Sequence, residues 1–63
     1  MTYYESYREI LRLNGTVEQV KEAVERDVRV AIFLGNNPDR LKAIEDAMNK
    51  AINEDGRFKD GRW

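Results

Sequence analysis

The sequence predicts a small all-α domain, in which a short N-terminal helix packs on an antiparallel helical hairpin. Apolar residues recur at helical spacing in three segments, and clusters of Asn, Gly and Pro separate those segments. The chain has 63 residues, of which 41% are hydrophobic and 37% are charged. A chain of this length forms one domain with a small core.

The first predicted helix covers about residues 3–13. Its large apolar residues follow the spacing of one helical face and are Tyr3, Tyr7, Ile10 and Leu11. Thr2, followed three residues later by Glu5, matches a capping box. Asn14 and Gly15 tolerate the left-handed conformation in which helices commonly end. Both ends of this helix are therefore marked in the sequence.

The second predicted helix covers about residues 17–34, with Thr16 as N-cap and Gln19 at the reciprocal position. A stripe of apolar residues follows at 3.6-residue spacing and consists of Val17, Val20, Val24, Val28, Ala31 and Ile32. A strand over Val28 to Leu34 competes, because apolar residues alternate there and many are β-branched. We favour the helix because the stripe continues in phase, and because only Arg57 to Trp63 could pair with such a strand.

The third predicted helix covers about residues 38–53. Gly35 suits the end of the second helix, Asn37 is the N-cap of the third, and Pro38 occupies its first position. The apolar stripe of this helix consists of Leu41, Ile44, Ala47, Met48, Ala51 and Ile52. A connection this short makes the second and third helices an antiparallel hairpin.

Residues 54–63 contain two Asp-Gly pairs and no periodicity, which predicts an irregular C-terminal tail, either flexible or docked through Phe58 and Trp63. The basic and aromatic residues of this tail suit nucleic acid, but three acidic residues cancel their charge. We therefore interpret the tail as a chain terminus rather than a nucleic-acid arm.

Composition argues against catalysis. Cys and His are absent, which removes disulfides, thiolate nucleophiles, imidazole bases and most zinc ligand sets. Helical carboxylates have basic residues three or four positions away, and we interpret them as solvated pairs: Glu5 with Arg8, Glu9 with Arg12, Glu18 with Lys21, Glu22 with Arg26, Glu25 with Arg29, and Asp46 with Lys50. We expect no enzyme activity, no cofactor and no metal site.

Charge and hydropathy indicate a cytoplasmic protein. The longest apolar run, Val30 to Leu34, is far shorter than the ~20 residues of a membrane span, and we expect neither a signal peptide nor a membrane partner. The formal net charge is −1 with interleaved signs, so nucleic acid is not expected to bind strongly. A nucleic-acid-associated transcriptional regulator, with a basic patch of Arg26, Arg29, Arg40 and the C-terminal tail, is the alternative.

Two apolar residues of the second helix, Val30 and Phe33, lie outside the sector that faces the core. We interpret them as part of a second contact surface, and the candidate protein interface consists of Tyr3, Tyr7, Val30, Phe33 and Leu34. The sequence thus predicts a small protein-binding module, a regulator, inhibitor or adaptor, that forms a homodimer or higher homo-oligomer or binds an unidentified protein.

The run Val30-Ala31-Ile32-Phe33-Leu34 and the following Arg40-Leu41 resemble a stretch of the Hha-type modulators, small helical proteins that bind nucleoid-associated proteins. In that family the helix continues where this chain has Gly35 to Pro38, so we carry no function over from the resemblance.

Overall fold

The structure of the protein, a computed structural model, describes residues 1–58. The helices are α1 (Tyr3–Arg12), α2 (Val17–Phe33) and α3 (Pro38–Glu54). The predicted all-α fold is confirmed, and each predicted helix end lies within one residue of the observed end. The segment for which a strand competed is helical up to Phe33, with Leu34 as its C-cap.

All three helices begin with the capping residues that the sequence predicts. The hydroxyl of Thr2 accepts a hydrogen bond from the amide of Glu5. At α2, the amide of Gln19 donates to the Thr16 hydroxyl over 3.2 Å, and the Thr16 amide donates to the Gln19 side chain over 2.9 Å. The side chain of Asn37 caps α3. Such caps contribute about 1 kcal/mol each, which matters in a domain this small.

The connections between the helices use residues with positive φ angles. Asn14 has φ 66° after α1, and Gly35 and Asn36 have φ 138° and 53° after α2. Gly15 has a further constraint, because a Cβ atom there would lie 2.5 Å from the carbonyl oxygen of Ile10. The α1–α2 connection therefore requires both Asn14 and Gly15 for steric reasons.

The core lies where α1 packs across the hairpin formed by α2 and α3. Its buried side chains come from all three helices and are Tyr7, Leu11, Val17, Val20, Ala23, Ala31, Ile44, Ala51 and Ile52. The largest that are fully buried are Tyr7, Ile44, Ile52 and Val20. Burying one large apolar side chain contributes roughly 1.5–3 kcal/mol, so these four account for much of the stability.

The hairpin extends beyond the part that α1 covers. α1 has 10 residues and each hairpin helix has 17, which corresponds to about 15 Å against about 25 Å. Because α1 is joined to the start of α2, the uncovered end is the α2–α3 turn. Ile32, predicted to lie in the core stripe, is 49% exposed. That part of the prediction was wrong, because Ile32 follows Asp27, which contacts α1, by five residues and therefore lies on the side of α2 away from α1.

Candidate functional site

Four large apolar side chains are exposed together at the turn end of the hairpin. They belong to the last turn of α2 and its C-cap, and we call them the tip patch: Val30 (51% exposed), Ile32 (49%), Phe33 (89%) and Leu34 (63%). In the rest of the described chain, the large apolar residues with comparable exposure are Met1 and Leu13, which are far from each other in sequence. The tip patch is therefore the one cluster of exposed apolar side chains within residues 1–58.

Part of the tip patch continues the face of α2 on which α1 packs. The hydroxyl of Tyr7 donates a hydrogen bond of 2.7 Å to Oδ2 of Asp27, which marks the side of α2 that faces α1. Val30 and Leu34 follow Asp27 by three and seven residues, so they lie on this same side. Helix α1 begins at Tyr3 and does not extend over them.

The side of α3 near α1 carries small side chains. Nζ of Lys50 lies 4.8 Å from the centre of the Tyr4 ring, which marks the side of α3 near α1. Ala47 and Ala43 precede Lys50 by three and seven residues and share that side. Ala43 is exposed and Ala47 is half-buried. The side of α3 near α1 therefore carries small side chains between Lys50 and the α2–α3 turn.

The other two predicted interface residues, Tyr3 and Tyr7, lie elsewhere. Tyr3 is half-buried against the core, and Tyr7 is completely buried within it. The pKa of Tyr7 is raised above its ordinary value. Burial makes the largest contribution to this shift, and the hydrogen bond with Asp27 makes the next largest. The Tyr7 hydroxyl is therefore a neutral donor that joins α1 to α2. In the isolated chain Tyr7 presents no surface to a partner, and the tip patch contains neither tyrosine.

A polar cluster at the opposite end of the molecule was missed by sequence reasoning. Arg57 donates from Nη2 to the carbonyl oxygens of Leu11 (3.1 Å) and Gly15 (3.3 Å), and from Nε to Oδ1 of Asp55 (3.0 Å). Oδ2 of Asp55 also lies 4.0 Å from Nη1 of Arg8. We call this cluster of Arg8, Asp55 and Arg57 the base clasp, because it fastens the residues after α3 to the end of α1.

The base clasp changes the pKa of one of its members and lies beside a packed aromatic ring. Hydrogen bonds from Arg57 lower the pKa of the Asp55 carboxyl below its ordinary value. Phe58 packs against the core next to the clasp, whereas Trp63, the other residue considered for docking, lies outside the described residues. The only signal in the sequence was the Asp-Gly turn at residue 55, which does not identify the distant carbonyls.

The outer face of α1 carries several charged side chains, which form ion pairs and backbone hydrogen bonds rather than a catalytic arrangement. An open groove of about 310 Å³ is lined by Met1, Tyr4, Glu5, Arg8, Glu9 and Arg12. Arg12 pairs with Glu9 as predicted, with Nε 3.0 Å from Oε2, and this lowers the pKa of Glu9. Arg8, predicted to pair with Glu5, donates instead to the carbonyl oxygen of Ala51 at 3.2 Å. These interactions stabilise α1 and its contact with α3.

Within residues 1–58, no group of three or more acidic side chains is arranged to hold a metal ion. None of the helices in this part of the chain combines the length and the apolar content that crossing a membrane requires.

Comparison with protein-family models, with curated proteins and with solved structures finds no match to this chain.

Proposed function

We propose that this chain is a small protein-binding module, acting as a regulator, inhibitor or adaptor, and that the tip patch is its contact surface. The observation that supports the proposal is the grouping of Val30, Ile32, Phe33 and Leu34 in one exposed helical turn. Single exposed apolar residues are common on proteins, but several on one side are typical of interaction surfaces, and Val30, Phe33 and Leu34 lie within roughly 100° of one another around α2.

The position of the tip patch also supports protein binding. Val30 and Leu34 lie on the face that α1 covers further down the hairpin, and Ala43 and Ala47 lie on the side of α3 near α1. A helix placed there would extend the packing of α1 along the hairpin. Covering the patch would contribute about 25 cal/mol for each Å² of apolar surface removed from water.

In the simplest version of our proposal, the tip patch binds a second copy of the chain. A two-fold dimer pairs the same patch on both chains, and a core of this size rarely supplies more than ~3 to 5 kcal/mol on its own. Burying Phe33 and Leu34 against a second copy would add to that stability. A foreign protein with an apolar helix is the other occupant of the same surface.

Light scattering coupled to size-exclusion chromatography tests the proposal with a matched pair of variants. Leu34 is the C-cap of α2 and 63% exposed, whereas Leu13 is the C-cap of α1 and 67% exposed. We expect the wild type to exceed the monomer mass at high micromolar concentration, Leu34→Asp to be monomeric, and Leu13→Asp to behave as wild type.

Two outcomes count against the proposal in different ways. A monomeric wild type contradicts self-association and leaves a foreign protein as the occupant. If Leu34→Asp and Leu13→Asp form oligomers of the same mass, this contradicts the assignment of the contact to the tip patch. Circular dichroism of both variants confirms that a change in mass is not caused by unfolding.

The nucleic-acid alternative gains no support from the described residues. Arg26, one of the arginines that such a patch requires, pairs with Asp27 in the same chain, with Nη2 3.3 Å from Oδ1. A pairing of this kind reduces the uncompensated positive charge available for phosphate contacts.

A further inference from the structure

The α1–α2 connection contains the one Asn-Gly pair of the sequence, and the structure explains why both residues are needed. Asn14 has φ 66°, which Asn and Gly tolerate better than other residues. A Cβ atom at Gly15 would lie 2.5 Å from both Cγ2 and the carbonyl oxygen of Ile10. Steric demands at two adjacent positions have therefore produced a dipeptide with distinctive chemical reactivity.

That reactivity is the intramolecular loss of ammonia from asparagine. The backbone nitrogen of the next residue attacks Cγ of the asparagine side chain, a new C–N bond closes a five-membered succinimide, and the amide leaves as ammonia with the proton of the attacking nitrogen. Water then opens the ring to aspartate or isoaspartate. Glycine in the second position favours the attack, because it has no side chain to hinder the nitrogen.

The folded chain keeps this nitrogen from attacking. The Gly15 amide donates a hydrogen bond of 2.8 Å to the carbonyl oxygen of Ile10, and Gly15 is buried. On its other side, the Gly15 carbonyl accepts from Nη2 of Arg57, which also binds the carbonyl of Leu11. Both peptide groups of Gly15 must therefore be released before its nitrogen can turn towards Asn14.

We propose that Asn14 is a site of spontaneous deamidation, and that the rate of this modification is controlled by opening of the base clasp. The product carries a new negative charge at the C-terminal end of α1, where the helix dipole is also negative. Its isoaspartate form adds an extra atom to the backbone, so the hydrogen bond between Gly15 and Ile10 is not restored. The modification thus loosens the attachment of α1 to the hairpin irreversibly.

Mass spectrometry of the intact chain during incubation at mildly alkaline pH tests the proposal. We expect deamidation of the wild type to be about tenfold or more faster in denaturant than in buffer, because local opening limits the native reaction. Arg57→Ala removes the two hydrogen bonds to α1 and the connection, and should react about fivefold faster than wild type. Arg40→Ala, the same substitution at the exposed start of α3, should react as wild type.

One further variant assigns the reaction to Asn14, and one further measurement tests whether local opening controls its rate. Asn14→Gly tolerates a positive φ and should gain no mass even in denaturant, which assigns the reaction to this position. In the wild type, low concentrations of denaturant should accelerate amide exchange at Gly15 and deamidation by the same factor, and this comparison does not depend on whether Arg57→Ala remains folded.

Three results overturn the proposal. The first is equal deamidation of the wild type in buffer and in denaturant, and the second is a mass gain that persists in Asn14→Gly. The third is an Arg57→Ala variant that is folded, as shown by circular dichroism, but reacts no faster than Arg40→Ala.

Discussion

Replacing Tyr7 with phenylalanine removes one hydroxyl group and leaves the ring in the core. The hydroxyl donates over 2.7 Å to Asp27, whose side chain is only 16% exposed. A hydrogen bond to a charged group contributes about 1.5–3 kcal/mol, and Asp27 keeps its contact with Arg26 when the Tyr7 hydroxyl is removed, which places the expected loss near the lower end, at about 1.5 kcal/mol. This is a large fraction of the ~3 to 5 kcal/mol that such a core supplies.

Urea unfolding followed by circular dichroism measures this loss. We expect the midpoint of Tyr7→Phe to fall with little change in slope, and the melting temperature to fall by roughly 6–12 °C. Tyr3→Phe, at the half-buried start of α1, should change the free energy of unfolding by less than about 0.5 kcal/mol. Equal stabilities of Tyr7→Phe and Tyr3→Phe would refute the argument that the bond to Asp27 joins α1 to α2.

The contact between Tyr7 and Asp27 also predicts that the free energy of unfolding depends on pH. The folded chain raises the pKa of Tyr7 above its ordinary value of 10.0, so it holds the phenolic proton more tightly than the unfolded chain does. The stability from Tyr7 is therefore complete below pH 10 and is lost as the pH rises further. The advantage of the wild type over Tyr7→Phe should shrink in that range, and an advantage that stays constant would contradict this reasoning.

Three more predictions concern the base of the molecule and its partners. Gly15→Ala places a Cβ atom 2.5 Å from the Ile10 carbonyl oxygen and should lower the free energy of unfolding in urea by about 1–3 kcal/mol. Gly56→Ala, with open space around it, should change this free energy by almost nothing. Equal effects of the two substitutions would contradict the steric argument. Because Arg57 lowers the pKa of Asp55 from 3.8, the stability from Asp55 is present above that pH and lost as the pH falls further. The urea midpoints of the wild type and Asp55→Asn should therefore converge in acid, and parallel midpoints would refute this. Fluorescence anisotropy with random duplex DNA should give a Kd above about 1 µM at physiological salt, and tighter binding would revive the nucleic-acid alternative.

Local signals explain why the helix ends could be predicted. Thr16 with Gln19, and Asn37 with Pro38, act through hydrogen bonds and backbone angles within a few residues of each other. Such contacts are visible in the sequence because they require no knowledge of the fold. The exposure of Phe33 follows in the same way from its position outside the apolar stripe of α2.

Long-range geometry explains what the sequence did not reveal. Ile32 lies in the predicted stripe, but it is exposed because it lies on the side of α2 away from α1. Arg57 binds the carbonyl of Leu11, 46 positions away, and backbone carbonyls have no signature in a sequence. The role of Tyr7 as a buried donor to Asp27 likewise depends on how α1 and α2 are placed against each other.

A dilution series of amide chemical shifts, recorded by NMR on the uniformly labelled wild type, tests most directly whether the tip patch is a protein-binding surface used for self-association. As the concentration rises from low to high micromolar, we expect the shifts of residues 29–36, and of Ala43 beside them, to change together along one binding curve. Phe33→Asp should abolish these changes and leave the spectrum of α1 intact. Shifts that stay constant at every concentration, or that change mainly around the base clasp, would contradict the account.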